Sequence, residues 1–281
     1  MTTTTKNILN ILWFIVVYLL VQVIATVIVG MAFLMARGSS IPEALGSLSG
    51  GFLTEPTAII VLTAVANTTL ILLFLGFRWA PVSYSYLRTR PWRALSWIAL
   101  LGLFTVIPSV WMIEWIDADV PNGIEKVLRA LMSDGFGYLS VGILAPIAEE
   151  ILFRGAILRC LFTLFSKRMH WLPIVLSALI FGLAHGNMGQ APHAVALGLL
   201  LGWMYYRTGS IIPGIVLHWV NNSVAFAVCN LWPGSEDYKL IDLFGDNAWA
   251  MWLSLVFSML LTIICLLQLT RILKKGKRTS R

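Results

Sequence analysis

Eight apolar stretches fall near residues 9–35, 57–77, 94–113, 138–165, 171–188, 192–207, 211–230 and 248–272, most of them close to the 20 or so residues that carry a helix across the hydrocarbon core of a bilayer. In lipid, backbone polar groups are satisfied only by helices or by a closed barrel, and runs of this length read as helices. The expected fold is all-α, a polytopic membrane helix bundle of about eight transmembrane helices. Composition agrees: of 281 residues 58% are hydrophobic and 12% charged, whereas roughly a quarter of the residues of a soluble domain are charged. The first stretch follows Lys6 and is too long for the apolar part of a signal peptide, so it reads as a retained anchor. Cys160, Cys229 and Cys265 lie in separate stretches with no CxxC pair. They read as buried small hydrophobes, not as a disulfide framework or a metal site.

Charge sorts once the spans are drawn. With the N-terminus cytoplasmic, one side receives Lys6, Arg78, Arg88, Arg90, Arg93, Arg159, Lys167, Arg168, Arg207 and the basic tail from Arg271 to Arg281. The opposite side receives only Arg37, Lys126, Arg129 and Lys239, together with the loop acids Glu43, Glu55, Glu114, Asp117, Asp119, Glu125, Asp134, Glu236, Asp237, Asp242 and Asp246. By the positive-inside rule both termini are expected in the cytoplasm. The net charge of +7 is then a topology signal plus a tail beside anionic headgroups, and implies no nucleic-acid partner.

Against this background the ionisable residues inside the spans stand out, because such groups are costly at membrane depth and serve chemistry, transport or pairing. They fall between residues 149 and 222. In Glu149-Glu150-x-x-x-Arg154, Glu150 and Arg154 are i and i+4 on a helix and close enough to pair, whereas Glu149 is turned about 100° away. That leaves Glu149 free to act as a general base, or all three to form a structural ion cluster. Phe181 and His185 share a face of the fifth stretch, and His218 and Asn222 share one of the seventh. Taken singly, each histidine reads equally as packing, and Asn222 as a bridge between helices. Pro146 cannot donate a backbone bond to Gly142, so the fourth helix is expected to be disturbed just before the acids. At about 1.5 Å per residue, Glu149 and Asn222 are each about 16 Å from one end of their spans and so near the midplane.

Two mechanisms fit Glu149, His185, His218 and Asn222. In one, zinc held by Glu149, His185 and His218 lowers the pKa of a bound water. In the other, with no cofactor, Glu149 takes a proton from water while His185, His218 and Asn222 position that water and stabilise the oxyanion. An HExxH run is absent, as are the signatures of serine or aspartate intramembrane proteolysis.

In this order, Glu149-Glu150-x-x-x-Arg154, Phe181-x-x-x-His185 and His218-x-x-x-Asn222 resemble the three motifs of the CPBP (ABI) family of intramembrane proteases, which includes the CAAX-prenyl endopeptidase. Gly182-Leu-Ala-His-Gly-Asn187, Leu197 to Trp203 and Arg207-Thr-Gly-Ser210 are similar to the connecting text of bacterial members. The resemblance implies an endopeptidase in a bacterial plasma membrane, acting on a membrane-associated protein or short apolar peptide, in CAAX-type or bacteriocin-related processing. It further implies that Glu149 and His185 activate water, that His218 and Asn222 complete the site, and that Glu150, Arg154 and Phe181 support it. The chain then divides into supporting helices one to three (1–137), a CPBP-like catalytic core of helices four to seven (138–230), and the last helix with its basic cytoplasmic tail (231–281). His193 departs from the family pattern, standing where an aromatic residue is expected. It reads as an interfacial polar residue or a substrate contact. Two other classes use the same residues: a non-enzymatic membrane immunity or scaffold factor, and a proton-coupled transporter, against which the lack of internal repeats speaks.

Overall fold

The computed structural model describes residues 2–47, 55–81, 85–116, 127, 129–132, 134–186, 189–231 and 239–273. The expectations for Asp117, Asp119, Glu125, Lys126, Glu236, Asp237, Asn187 and the tail from Lys274 onward lie outside the described residues. Among the described residues the structure is all-helical, with no strand. Helix α1 runs Thr3–Ala36, α2 Ile41–Ser47, α3 Pro56–Gly76, α4 Ser85–Arg88, α5 Trp92–Phe104 and α6 Val106–Ile116. Four abutting pieces follow without a break, π-helical Leu139–Leu144, α-helical Ala145–Glu149, π-helical Glu150–Leu158 and α-helical Arg159–Leu164. Together they form α7 (139–164). Helix α8 is Trp171–Ala184, α9 Ala191–Thr208, α10 Ile212–Leu231 and α11 Ala248–Ile272.

Five spans are long and apolar enough to cross a membrane: α1, α3, α5 with α6, α10 and α11. The other three expected spans are helical, but α7 is segmented, α8 has only 14 residues and α9 does not reach the same apolarity. Among the described residues five spans thus qualify by length and composition, and the expected count of eight is not confirmed. The expected fifth span also ends early, at Ala184, because Gly186 takes a left-handed backbone (φ 63°). Glycine adopts this conformation without steric cost and so closes a helix.

Apolarity does not distinguish inside from outside here. On α1 the buried residues Ile11, Phe14, Val21 and Ala25 form a seam, while Leu12, Leu19, Val23 and Ile28 point outward. A helix apolar all round suits lipid on one side and packing on the other. The seam of α1 packs on α3 and α7; α8 pairs with α9; α5 lies against α10 and α11. Arg207 joins two helix ends, its Nε donating to the Leu273 carbonyl at 2.9 Å and its Nη2 to that of Thr270 at 2.8 Å.

Proline decides where the helices are interrupted and what repairs them. Pro108 carries no N–H for the carbonyl of Phe104, so the expected third span divides at Thr105. The hydroxyl of Ser258 on α11 donates to that carbonyl at 2.6 Å. Pro146 does the same inside α7 with a shifted register. The preceding turns are π-helical, with the Ala145 N–H donating to the Ser140 carbonyl five residues back. The carbonyl left open is therefore that of Val141, not of Gly142 as α-helical spacing predicts. Asn222 on α10 fills it, its Nδ2 donating to Val141 O at 2.9 Å. Without water to substitute, such carbonyls need a protein donor.

Ser258→Ala leaves the Phe104 carbonyl without its donor and is expected to destabilise the protein by about 1–3 kcal/mol. The lipid-facing Leu72→Ala, at 66% exposure, should stay within about 0.5 kcal/mol. Unfolding in detergent micelles measures both; equal losses would show that the hydroxyl does not support the break.

Candidate active site

The site is assembled on α7. Its second π stretch carries Glu150 and Arg154, both with no exposed side-chain surface. The Arg154 Nη1 donates to Glu150 Oε1 at 2.6 Å and Nη2 to the Gly198 carbonyl of α9 at 3.4 Å. The guanidinium plane lies 4.4 Å from the centre of the Phe181 ring, a cation–π contact that strengthens when water is excluded. Glu150 reaches this position because α10 carries Gly214 opposite it. A Cβ there would stand 2.3 Å from Glu150 Oε2.

His218, on the same buried face of α10 as Gly214, stands between the two acids. Its Nδ1 is 3.6 Å from Glu150 Oε1 and its Nε2 3.7 Å from Glu149 Oε2. These separations bring the groups together without direct hydrogen bonds. Glu149 keeps a quarter of its side chain exposed, unlike Glu150. Turned away from the Glu150–Arg154 pair, it meets an imidazole from another helix.

Phe181 is the hub of the cluster. Its ring takes Arg154 on its face and meets both imidazoles edge-on, His185 at 4.8 Å and 85° and His218 at 5.8 Å and 89°. Phe153 of α7 packs against it at 5.0 Å. His185 Nδ1 is 2.9 Å from the carbonyl of Phe181. A carbonyl only accepts, so Nδ1 carries the hydrogen, and in the neutral ring Nε2 is left as the acceptor. Four buried polar atoms of the cluster have no hydrogen-bond partner among the described residues: Glu149 Oε2, Glu150 Oε2, Arg154 Nε and His218 Nδ1. Unpaired buried polar groups are costly, so four of them in one cluster are not explained by packing alone.

Of the residues expected to converge, Arg154, His185 and His218 meet the Phe181 ring, Glu150 pairs with Arg154, and Glu149 comes within 3.7 Å of His218. Asn222 turns from His218 toward Val141. Its neighbour Asn221 is the buried one, on the side of α10 that interacts with His193. His193 lies within electrostatic reach of His185 and His218. It adjoins the site and is not a lone interfacial group. The sequence held a signal for this, since i and i+3 share a helix face as well as i and i+4 do. No set of three His, Cys, Asp or Glu side chains among the described residues converges to hold a metal ion. Glu149 and His218 approach each other to 3.7 Å.

The fold and site define an integral membrane protein with a carboxylate–imidazole cluster inside its helix bundle. Residues 132–224 match the Rce1-like family model, described as type II CAAX prenyl endopeptidase Rce1-like, which bears out the resemblance read from the three motifs. Helices α1 to α6 and α11 lie outside that match. No curated protein and no solved structure matches the chain.

Two outcomes follow. Arg154→Met strands the buried Glu150 carboxylate and should cost about 3–5 kcal/mol, most of it regained when Glu150→Leu is added, because a buried pair is worth little more than apolar residues of its size. Unfolding of the single and double variants measures this. The metal content of the purified protein and of His185→Ala separates the two water-activation schemes: stoichiometric zinc lost with that substitution makes His185 a metal ligand, and protein free of metal leaves water activation to Glu149.

Proposed function

We propose that this protein is an intramembrane endopeptidase that hydrolyses a peptide bond of a membrane-associated protein or short apolar peptide, with Glu149 as the base that activates water. The observation that carries the reading is the approach of Glu149 Oε2 to His218 Nε2, 3.7 Å apart and contributed by two different helices. The match of residues 132–224 to a prenyl endopeptidase family supports it and favours a CAAX-type substrate; the positive-inside rule, applied to the sequence, puts the basic ends of the chain in the cytoplasm.

The steps use this chain's own residues. Glu149 takes a proton from water, and the hydroxide oxygen adds to the scissile carbonyl carbon. His218, facing both carboxylates, and His185, with its Nε2 acceptor, orient the water. The tetrahedral intermediate collapses as the carbon–nitrogen bond breaks, and the proton on Glu149 passes to the leaving amine. Glu150 and Arg154 hold the frame and take no proton.

Purified full-length protein in lipid nanodiscs, given a fluorogenic peptide ending in a prenylated CAAX sequence and an unprenylated apolar peptide of the same length, tests the reading. The unmodified chain should cleave at least one, and Glu149→Gln should lower kcat about 10²–10⁴-fold. Cleavage unaffected by Glu149→Gln would refute the role of Glu149. Failure to cleave either peptide, with proton flux across liposomes instead, would favour a transporter.

A further inference from the structure

A cavity of about 400 Å³ lies beside the start of α11, at the opposite end of that helix from Arg207. The C-terminal half of α6 supplies Trp111, Glu114 and Trp115 to its wall, the first turn of α11 supplies Met251, and the connection before α11 supplies Lys239 and Ile241. Small-molecule sites commonly have volumes of about 300–1,000 Å³. None of these residues belongs to the carboxylate–imidazole cluster, and all lie outside the segment that matches the family.

The walls carry one charge of each sign. Glu114 is held by the N–H of Leu240, which donates to its Oε1, and its Oε2 has no hydrogen-bond donor among the described residues. Lys239 is anchored through its backbone, its N–H donating to Asp242 Oδ2 at 2.7 Å and its carbonyl accepting from the Asp242 N–H at 3.0 Å. Neither Glu114 nor Lys239 forms an ion pair among the described residues. Between them stands an aromatic wall. The rings of Trp111 and Trp115 stack at 6.4 Å and 17°, and Trp252 of α11 meets Trp111 edge-on at 6.4 Å and 64°. Indole faces and a carboxylate attract an ammonium, and a lysine attracts a phosphate. A simple anion would meet Glu114 and a simple cation Lys239, so the walls suit a guest that carries both charges.

The surroundings say where such a guest comes from. Trp115, Trp249 and Trp252 are exposed at this level, and tryptophan gathers where hydrocarbon gives way to headgroups. From Trp249 an exposed stripe of α11, Leu253, Val256, Phe257 and Leu260, leads toward the middle of the helix. These positions share one helix face, which offers acyl chains a surface continuous with the cavity.

We infer that this cavity seats the headgroup of an ammonium-bearing phospholipid such as phosphatidylethanolamine, its ammonium between Glu114 and the Trp111–Trp115 wall and its phosphate on Lys239. The seat ties α6 to α11, neither of which belongs to the matched segment. It stands apart from the hydrolase reading, and failure of one leaves the other untouched.

Full-length protein in detergent micelles, titrated with phosphatidylethanolamine or with phosphatidylglycerol of the same acyl chains, tests the inference by native mass spectrometry, which counts the protein molecules that retain lipid. Phosphatidylethanolamine should bind about tenfold more tightly than phosphatidylglycerol, which lacks the ammonium, and Glu114→Gln and Lys239→Gln should each weaken its binding about tenfold, the scale of one charge-assisted hydrogen bond. Glu114→Gln keeps an oxygen for the Leu240 N–H, and Lys239 is exposed, so both variants should fold, as circular dichroism verifies. Water-soluble glycerophosphoethanolamine, added as competitor, distinguishes a lipid from a free headgroup: displacement only in large excess supports the lipid, and displacement at equal concentration overturns it. No retained phosphatidylethanolamine, phosphatidylglycerol bound as tightly, or affinity unchanged in either variant also overturns the inference.

Discussion

The arrangement depends on one ion pair that water does not reach. Glu150 and Arg154 are both without exposed surface and 2.6 Å apart. Neither charge is tolerable there alone, so each fixes the other, and the surrounding groups are placed by the pair's needs. Arg154 requires a carbonyl and an aromatic face, which draws in Gly198 of α9 and Phe181 of α8. Glu150 requires room, which Gly214 of α10 leaves. Three helices are thereby registered against α7. With Glu150 engaged, the adjacent Glu149 is directed to another side of α7, where His218 meets it.

A second constraint comes from the solvent. In a soluble helix a carbonyl orphaned by proline takes water; inside a bilayer it takes a side chain from a neighbour. Ser258 answers Pro108 and Asn222 answers Pro146, and both repairs tie α11 and α10 to the helices they mend. The π turns before Pro146 move the open carbonyl by one residue, and so decide which amide of α10 turns outward and which, Asn221, turns toward His193. π turns are uncommon in helices and gather at functional sites, as they do here around Glu149 and Glu150.

Much of this was legible in the chain. The limits of α3 and α11 follow from apolar length, and the pairing of Glu150 with Arg154 from i, i+4 spacing. The cost of charge in lipid singled out the acids. What escaped is three-dimensional in origin. The break at Thr105 follows from Pro108, which hydropathy alone does not weigh. Asn222 read as a companion of His218 because α-helical spacing was assumed on both sides of a π-helical neighbour. Phe181 read as a partner of His185 alone, since nothing in a sequence shows that Arg154 and His218 meet the same ring. His193 looked isolated because Asn221 and His218, with which it interacts, belong to the separate helix α10.

The central claim is that an acid and an imidazole from different helices meet inside the membrane. A magnetic-resonance distance measurement in lipid bilayers, between the ¹³C-labelled Glu149 carboxyl and the ¹⁵N-labelled Nε2 of His218, tests it without reference to any substrate. The account predicts strong dipolar coupling, in keeping with an oxygen-to-nitrogen separation of 3.7 Å. Absence of coupling in a protein that retains its helical content would contradict it.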